Sequence, residues 1–163
     1  MVQPAITGSG VFTPPQVISN EELVAAYNAH AEAFNAAHAG AIAVGEVEAK
    51  APSSPEFILN ASGIERRHVM DKAGVLDPEV MHPILRERSD DESGIMTEIA
   101  LEACGTALAQ AGRKAGEIDL VICAASNHER PYPAIAIEIQ EALGAGGFAF
   151  DMNVACSSAT FGI

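Results

Sequence analysis

Residues 118–125, Ile-Asp-Leu-Val-Ile-Cys-Ala-Ala, form a nearly continuous apolar stretch without the alternation of a half-buried strand. Such a run predicts a strand covered on both faces, and helices must therefore lie next to it. The flanking sequence supplies them. Ile95, Met96, Ile99, Ala103 and Leu108 recur at helical spacing from Ser93 until Gly112, and a second helical pattern runs over 133–143 and stops at Gly144. Residues 148–152 then read as another strand. Helix, buried strand, helix, buried strand is the order of an α/β chain whose parallel or mixed sheet lies between helices.

Upstream, residues 5–12 read as a first strand interrupted by Gly8 and Gly10 and closed by Pro14 and Pro15. Ser19 followed by Glu22 is a capping box, and Leu23, Val24, Tyr27 and Phe34 give the ensuing helix an apolar face to about Ala37. Residues 39–54 dissolve into small residues and acids, with prolines at 52 and, just beyond, at 55, which suggests a flexible excursion or an inserted arm. A helical turn over 57–64 ends at Gly63, residues 65–70 are extended, and residues 71–91 are polar with prolines at 78 and 83, a surface segment.

Charge excludes one class of partner. Nine Lys and Arg face 22 Asp and Glu, a formal charge of −13, whereas a nucleic-acid surface needs clustered cations. An acidic protein partner would have to be met by a local group of basic residues, for which Arg66, Arg67, Arg86, Arg88 and Arg113 are the candidates. No apolar run approaches membrane-spanning length and no export signal is visible, so a cytoplasmic protein is expected. Three cysteines, an odd number, fit free thiols in a reducing compartment.

The cysteines differ in setting. Cys104 lies mid-helix among alanines and Cys123 inside the apolar strand, where a thiol behaves as a small hydrophobe. Cys156 stands between the strand at 148–152 and the first turn of a following helix. There its sulfur meets unpaired N–H groups and the positive end of the helix dipole, which favour thiolate over thiol. Small neighbours at Ala155, Ser157, Ser158 and Ala159 leave room for a thioester, and the same N–H groups could stabilise an oxyanion during acyl transfer. No histidine pair has the spacing of a zinc site beside an acidic or cysteine ligand, so no metal is expected. His128 follows the strand at its carboxyl end, the ligand side of α/β sheets. Gly8 and Gly10 open no dinucleotide-binding pattern.

The segment Asn153-Val-Ala-Cys156-Ser-Ser-Ala-Thr-Phe-Gly resembles the nucleophile segment of the 3-oxoacyl-(acyl carrier protein) synthase III family. Further segments resemble that family in the same order. Ala5-Ile-Thr-Gly-Ser-Gly-Val-Phe-Thr-Pro-Pro matches its opening strand, Ser62-Gly-Ile-Glu-Arg-Arg-His68 its Gly-Ile-x-x-Arg segment, 118–126 its buried strand, and Tyr132-Pro-Ala the start of the next helix. The resemblance implies a five-layered αβαβα thiolase-like fold, with residues 1–163 as its amino-terminal half and variable arms near 36–54 and 71–91. The second half, with the family's catalytic His and Asn, would lie outside the chain. It further implies a homodimer, acyl transfer from acyl-coenzyme A to Cys156, and condensation with malonyl-(acyl carrier protein). No cofactor is implied, acyl-CoA being a substrate. Phe57, Arg67 and Tyr132 are the substrate-binding residues that the resemblance points to.

This sequence departs from the housekeeping pattern at Ala61, where an adenine-gripping arginine is expected, and in its longer arm. Both features resemble the subgroup primed by medium-chain acyl-CoA, the 3-oxodecanoyl-forming synthases. Other thiolase-fold acyltransferases and ketone-forming synthases use the same cysteine and stay open as alternatives, as does a catalytically incomplete fragment.

Overall fold

The computed structural model describes residues 3–89 and 91–163. The chain divides into two compact units, Thr13–Arg86 and a second made of the residues up to Phe12 together with Glu87–Ile163.

In the first unit, strand β1 (Gln16–Ser19) leads directly into helix α1 (Asn20–Ala37). The capping box forms as the sequence predicts. The Glu22 N–H donates to Ser19 Oγ at 3.2 Å, and Glu22 Oε2 accepts the Ser19 N–H at 2.9 Å. Asn20, at 4% exposure, closes the helix start onto the chain that follows: its side-chain N–H donates to the Ile64 carbonyl at 2.8 Å and its Oδ1 accepts from Arg67 at 2.9 Å. Ile18, Val24, Ala26 and Ala31 are buried and form the core of this unit.

Residues 39–54 are not the loose excursion that their composition suggests. After the short helix α2 (Ala39–Ala43), the chain turns back along α1 and is pinned there by side-chain amides. Asn28 and Ser53 exchange two hydrogen bonds, at 3.0 and 2.8 Å, and Asn35 and Lys50 exchange two more, both at 2.9 Å. Each asparagine imitates one residue of a partner strand. The spacings match, because two helical turns advance about 10 Å, as do three extended residues. Tyr27 donates to the Ala51 carbonyl at 3.2 Å, and the Lys50 ammonium sits 4.6 Å from the Phe34 ring centre.

Helix α3 (Pro55–Ser62) begins with Ser54 accepting the Phe57 N–H and Pro55 in the first turn, and ends at Gly63 with φ of 69°. Strand β2 (Arg66–Val69) pairs antiparallel with β1 in the register Gln16↔Val69 to Ser19↔Arg66. The one-turn helix α4 (Ala73–Leu76) follows, and His30 of α1 is hydrogen-bonded to the Pro78 carbonyl at 2.8 Å.

In the second unit, residues 5–12 form no strand, contrary to the sequence expectation. They lie against helix α5 (Ile95–Ala111), with the Ser9 N–H donating to Gln110 at 2.6 Å. The glycines explain the difference. A Cβ at Gly8 would fall 2.2 Å from the Ala107 carbonyl oxygen, and one at Gly10 would fall 1.9 Å from that of Ala103. Alternate glycines thus give the segment one bare face, which rests directly on the helix backbone.

Strand β3 (Leu120–Ala124), helix α6 (Ile135–Leu143) and strand β4 (Phe148–Met152) make a β-α-β unit with parallel strands, Leu120↔Phe148 through Ala124↔Met152. Ile135, Ala136 and Ile139 of α6 are buried. Helix α7 (Ser158–Gly162) closes the described chain and packs on β3 with α6. The strand is covered less completely than its apolar run predicts: Leu120 is 40% exposed and no residue of β3 is fully buried. One of the two helices on it, α7, is only five residues long. No helix among the described residues is long and apolar enough to cross a membrane.

Candidate active site

Cys156 is held by a turn that the neighbouring side chains build. Strand β4 ends at Met152, and Asn153 Oδ1 then accepts the Ala155 N–H at 3.0 Å, while its amide N–H reaches the Ser126 carbonyl at 3.3 Å. Ala155 has φ of 49°, a left-handed conformation that an alanine adopts only under constraint. The constraint is Ser158, 3% exposed, whose Oγ accepts the Val154 N–H at 2.9 Å and donates to the Ala155 carbonyl at 2.9 Å. Residues 155–157 form one turn of 3-10 helix before α7, and Cys156 stands on it, exposed.

The sequence reading anticipates several unpaired N–H groups at this turn, and the structure narrows that choice. Those of Val154, Ala155 and Ser157 already have partners in Ser158, Asn153 and the Val154 carbonyl. The other two thiols are half-buried, and burial pushes both upward. Cys104 is raised by burial alone, and Cys123 is raised to about 11, first by burial and then by the Asp151 charge. Cys156 is the one cysteine presented to solvent.

The other residues singled out in the sequence are divided between the two units. Phe57, on α3, is 66% exposed and lines an apolar groove of about 910 Å³ with Leu23, Val24, Tyr27, Pro52 and Met81. Arg67, on β2, is half-buried with one guanidinium nitrogen on Asn20. Both belong to the unit Thr13–Arg86, whereas Cys156 and Tyr132 belong to the other. Tyr132, 84% exposed beside the cis bond to Pro133, stands at the edge of a polar cavity lined by Arg130, Glu138 and Glu141. Glu138 anchors that edge. It receives hydrogen bonds from Arg130 and from Thr97, the latter at 3.0 Å. Burial pushes its carboxyl up, but these bonds outweigh burial and hold it below the ordinary range. Among the basic candidates, Arg88 is paired with Glu98 and Arg113 with Glu117.

One grouping escaped the sequence reading. Cys123 and Asp151 are register partners on β3 and β4, and His128, on the loop leaving β3, brings its Nε2 within 3.9 Å of Asp151 Oδ2. Cys123 and His128 are five residues apart, but Asp151 lies 23 residues beyond His128. Only the parallel pairing of β3 with β4 brings them together.

The β-α-β unit delivers an exposed cysteine on a strained strand-to-helix turn, and comparison with solved structures shows the fold around it to be a thiolase-like α/β fold. No family model matches the chain. Its structure is similar to the crystal structures of 3-oxoacyl-[acyl-carrier-protein] synthase III from Aquifex aeolicus VF5 (TM-score 0.64, 24% identity) and of 3-oxoacyl-(acyl carrier protein) synthase III from Pseudomonas aeruginosa PAO1 (TM-score 0.61, 25% identity). Each likeness covers 96% of this chain, and 36% and 34% of those chains respectively.

By sequence, the chain is 57% identical over 137 residues to the beta-ketodecanoyl-[acyl-carrier-protein] synthase of Pseudomonas aeruginosa, covering 84% of this chain and 39% of that protein. It is 31% identical to the beta-ketoacyl-[acyl-carrier-protein] synthase III of Bordetella petrii, covering all of this chain and 38% of that protein. The chain is a homologue of the synthase III proteins over the amino-terminal part of their length that it matches, and it spans about two fifths of these curated relatives.

Proposed function

We propose that this chain supplies the nucleophile of a condensing enzyme that transfers an acyl group from acyl-CoA to Cys156 and condenses it with malonyl-(acyl carrier protein). The observation that carries the reading is the exposed Cys156 on its braced turn, together with 57% identity to a synthase named for a ketodecanoyl product. In the first step Cys156 Sγ attacks the thioester carbonyl, the carbon–sulfur bond to coenzyme A breaks, and the coenzyme leaves as its thiol. In the second, loss of carbon dioxide from the malonyl group leaves an enolate whose carbon attacks the Cys156 thioester. The product is a 3-oxoacyl-(acyl carrier protein) and the free cysteine is regenerated.

The primer follows from carbon counting. Condensation with malonyl lengthens the acyl chain by two carbons, so a ten-carbon product needs an eight-carbon primer. Ala61 in place of a cationic side chain on α3, with Phe57 as the exposed aromatic of that helix, supports a primer other than acetyl-CoA. Phe57, Arg67 and Tyr132 remain the proposed substrate contacts. Incubation of the full-length protein with octanoyl-CoA is expected to add one octanoyl group at Cys156, with none in Cys156→Ser. In competition, octanoyl-CoA should exceed acetyl-CoA in kcat/KM by tenfold or more. Acylation of Cys104 or Cys123 in the Cys156→Ser protein would overturn the assignment.

A further inference from the structure

We propose that Cys123, His128 and Asp151 form a binding site for a divalent transition-metal ion, which the donor set identifies as zinc. One ligand atom from each residue, a sulfur, a ring nitrogen and a carboxylate oxygen, lies within 4.8 Å of the other two. In a tetrahedral zinc centre, with bonds of about 2.0–2.3 Å, ligand atoms sit roughly 3.3–3.8 Å apart. The His128 and Asp151 atoms, at 3.9 Å, already have nearly that separation. The Cys123 sulfur, within 4.8 Å of both, closes the remaining gap by a side-chain adjustment.

The surroundings hold the ligands in place. Asp151 Oδ2 accepts the Ile135 N–H at 2.9 Å and Oδ1 accepts the Ala136 N–H at 2.8 Å, which fixes the carboxylate plane and leaves a lone pair on each oxygen. Cys123 lies opposite Asp151 in the parallel register, so both side chains leave the same face of the sheet. His128 Nε2 also lies 3.4 Å from the Cys123 carbonyl, a contact that a metal would displace by taking the nitrogen lone pair and leaving the ring proton on Nδ1. The side chains of His128 and Asp151 are 14% and 17% exposed, shielded yet reachable by a small ion.

Charge selects the occupant. Thiolate and carboxylate supply two negative charges and imidazole none, so a dication makes the half-buried group neutral. A metal takes the thiolate form of cysteine, so binding releases one proton, from the Cys123 thiol to solvent, as the sulfur–metal bond forms. Sulfur and imidazole favour zinc over magnesium or calcium, and three protein ligands leave a fourth position for water. The ion would tie the end of β3 to β4 and to the start of α6.

This inference does not depend on the proposed reaction, and its test is separate from activity. Full-length protein freed of metal with a chelator is titrated with zinc, and with cobalt(II) as a spectroscopic probe of sulfur ligation. One equivalent per chain and a thiolate-to-cobalt charge-transfer band are expected, both retained in Cys156→Ala and Cys104→Ala. Affinity should fall at least tenfold in Cys123→Ala and in His128→Ala. In the unmodified protein, zinc should shield Cys123 from alkylation mapped by mass spectrometry, a readout that survives if either variant misfolds. Absence of stoichiometric zinc binding, affinity unchanged in the Cys123 and His128 variants, or shielding of Cys156 in place of Cys123 would each overturn the site.

Discussion

Replacing Ser158 by alanine removes one oxygen and two hydrogen bonds, those joining Oγ to the Val154 N–H and the Ala155 carbonyl, each at 2.9 Å. Because Val154 and Ala155 are exposed, water can reach the released groups. Each bond is then worth about 0.5–1.5 kcal/mol, not the larger penalty of a sealed unsatisfied group. The sum is roughly 1–3 kcal/mol of local stability, or about 5- to 150-fold in the population of the formed turn. Ala155 adds to the effect, since only the Asn153 bond to its N–H would then remain to hold its left-handed φ of 49°, and the residue should relax toward ordinary backbone. The result should be faster hydrogen exchange of the amides at 154–158 and at least tenfold slower acylation of Cys156 by octanoyl-CoA. Ser157→Ala, at an exposed neighbour, should change neither. If Ser158→Ala acylates at the unmodified rate with unchanged exchange, the turn does not position the nucleophile.

Two further outcomes follow from the other unit. Substituting Asn28 and Asn35 together by alanine should release the arm, seen as protease cleavage within residues 44–54 at least tenfold faster, while α1 keeps its helicity; unchanged cleavage would show that Tyr27 and Lys50 suffice. For Glu22, the Ser19 N–H and then Lys72 hold the carboxyl below its ordinary 4.5, so its contribution is present above that value and is lost as pH falls through the lower folded value. Glu22→Gln should therefore lower the urea midpoint near neutrality, and the gap to the unmodified protein should close in acid; a gap that widens in acid would reverse the assignment.

Local chemistry was legible wherever one short segment contained it. The capping box at Ser19 and Glu22, the helix ends at Gly63, Gly112 and Gly144, and the strand-to-helix position of Cys156 all depend on residues within a few positions of one another. What failed depended on partners far along the chain. Residues 5–12, closed by Pro14 and Pro15, suited a strand, but Gly8 and Gly10 answer to Ala107 and Ala103 on a helix about a hundred residues later. Mid-helix Asn28 and Asn35, weak helix formers, were the one available clue that residues 39–54 are tethered. The grouping of Cys123, His128 and Asp151 needed the strand register, which sequence alone does not specify.

The clamp between α1 and the arm also separates what may drift from what must not. Only Lys50 to Ser53 has to keep pace with the helix, since Asn35 and Asn28 meet its two ends. The stretch between His38 and Glu48 carries no such register, so residues can be gained or lost there without disturbing the seam. A single insertion between Lys50 and Ser53 would throw one asparagine off its partner. Length variation among relatives of this chain should therefore concentrate in the first part of the arm and stop at Lys50.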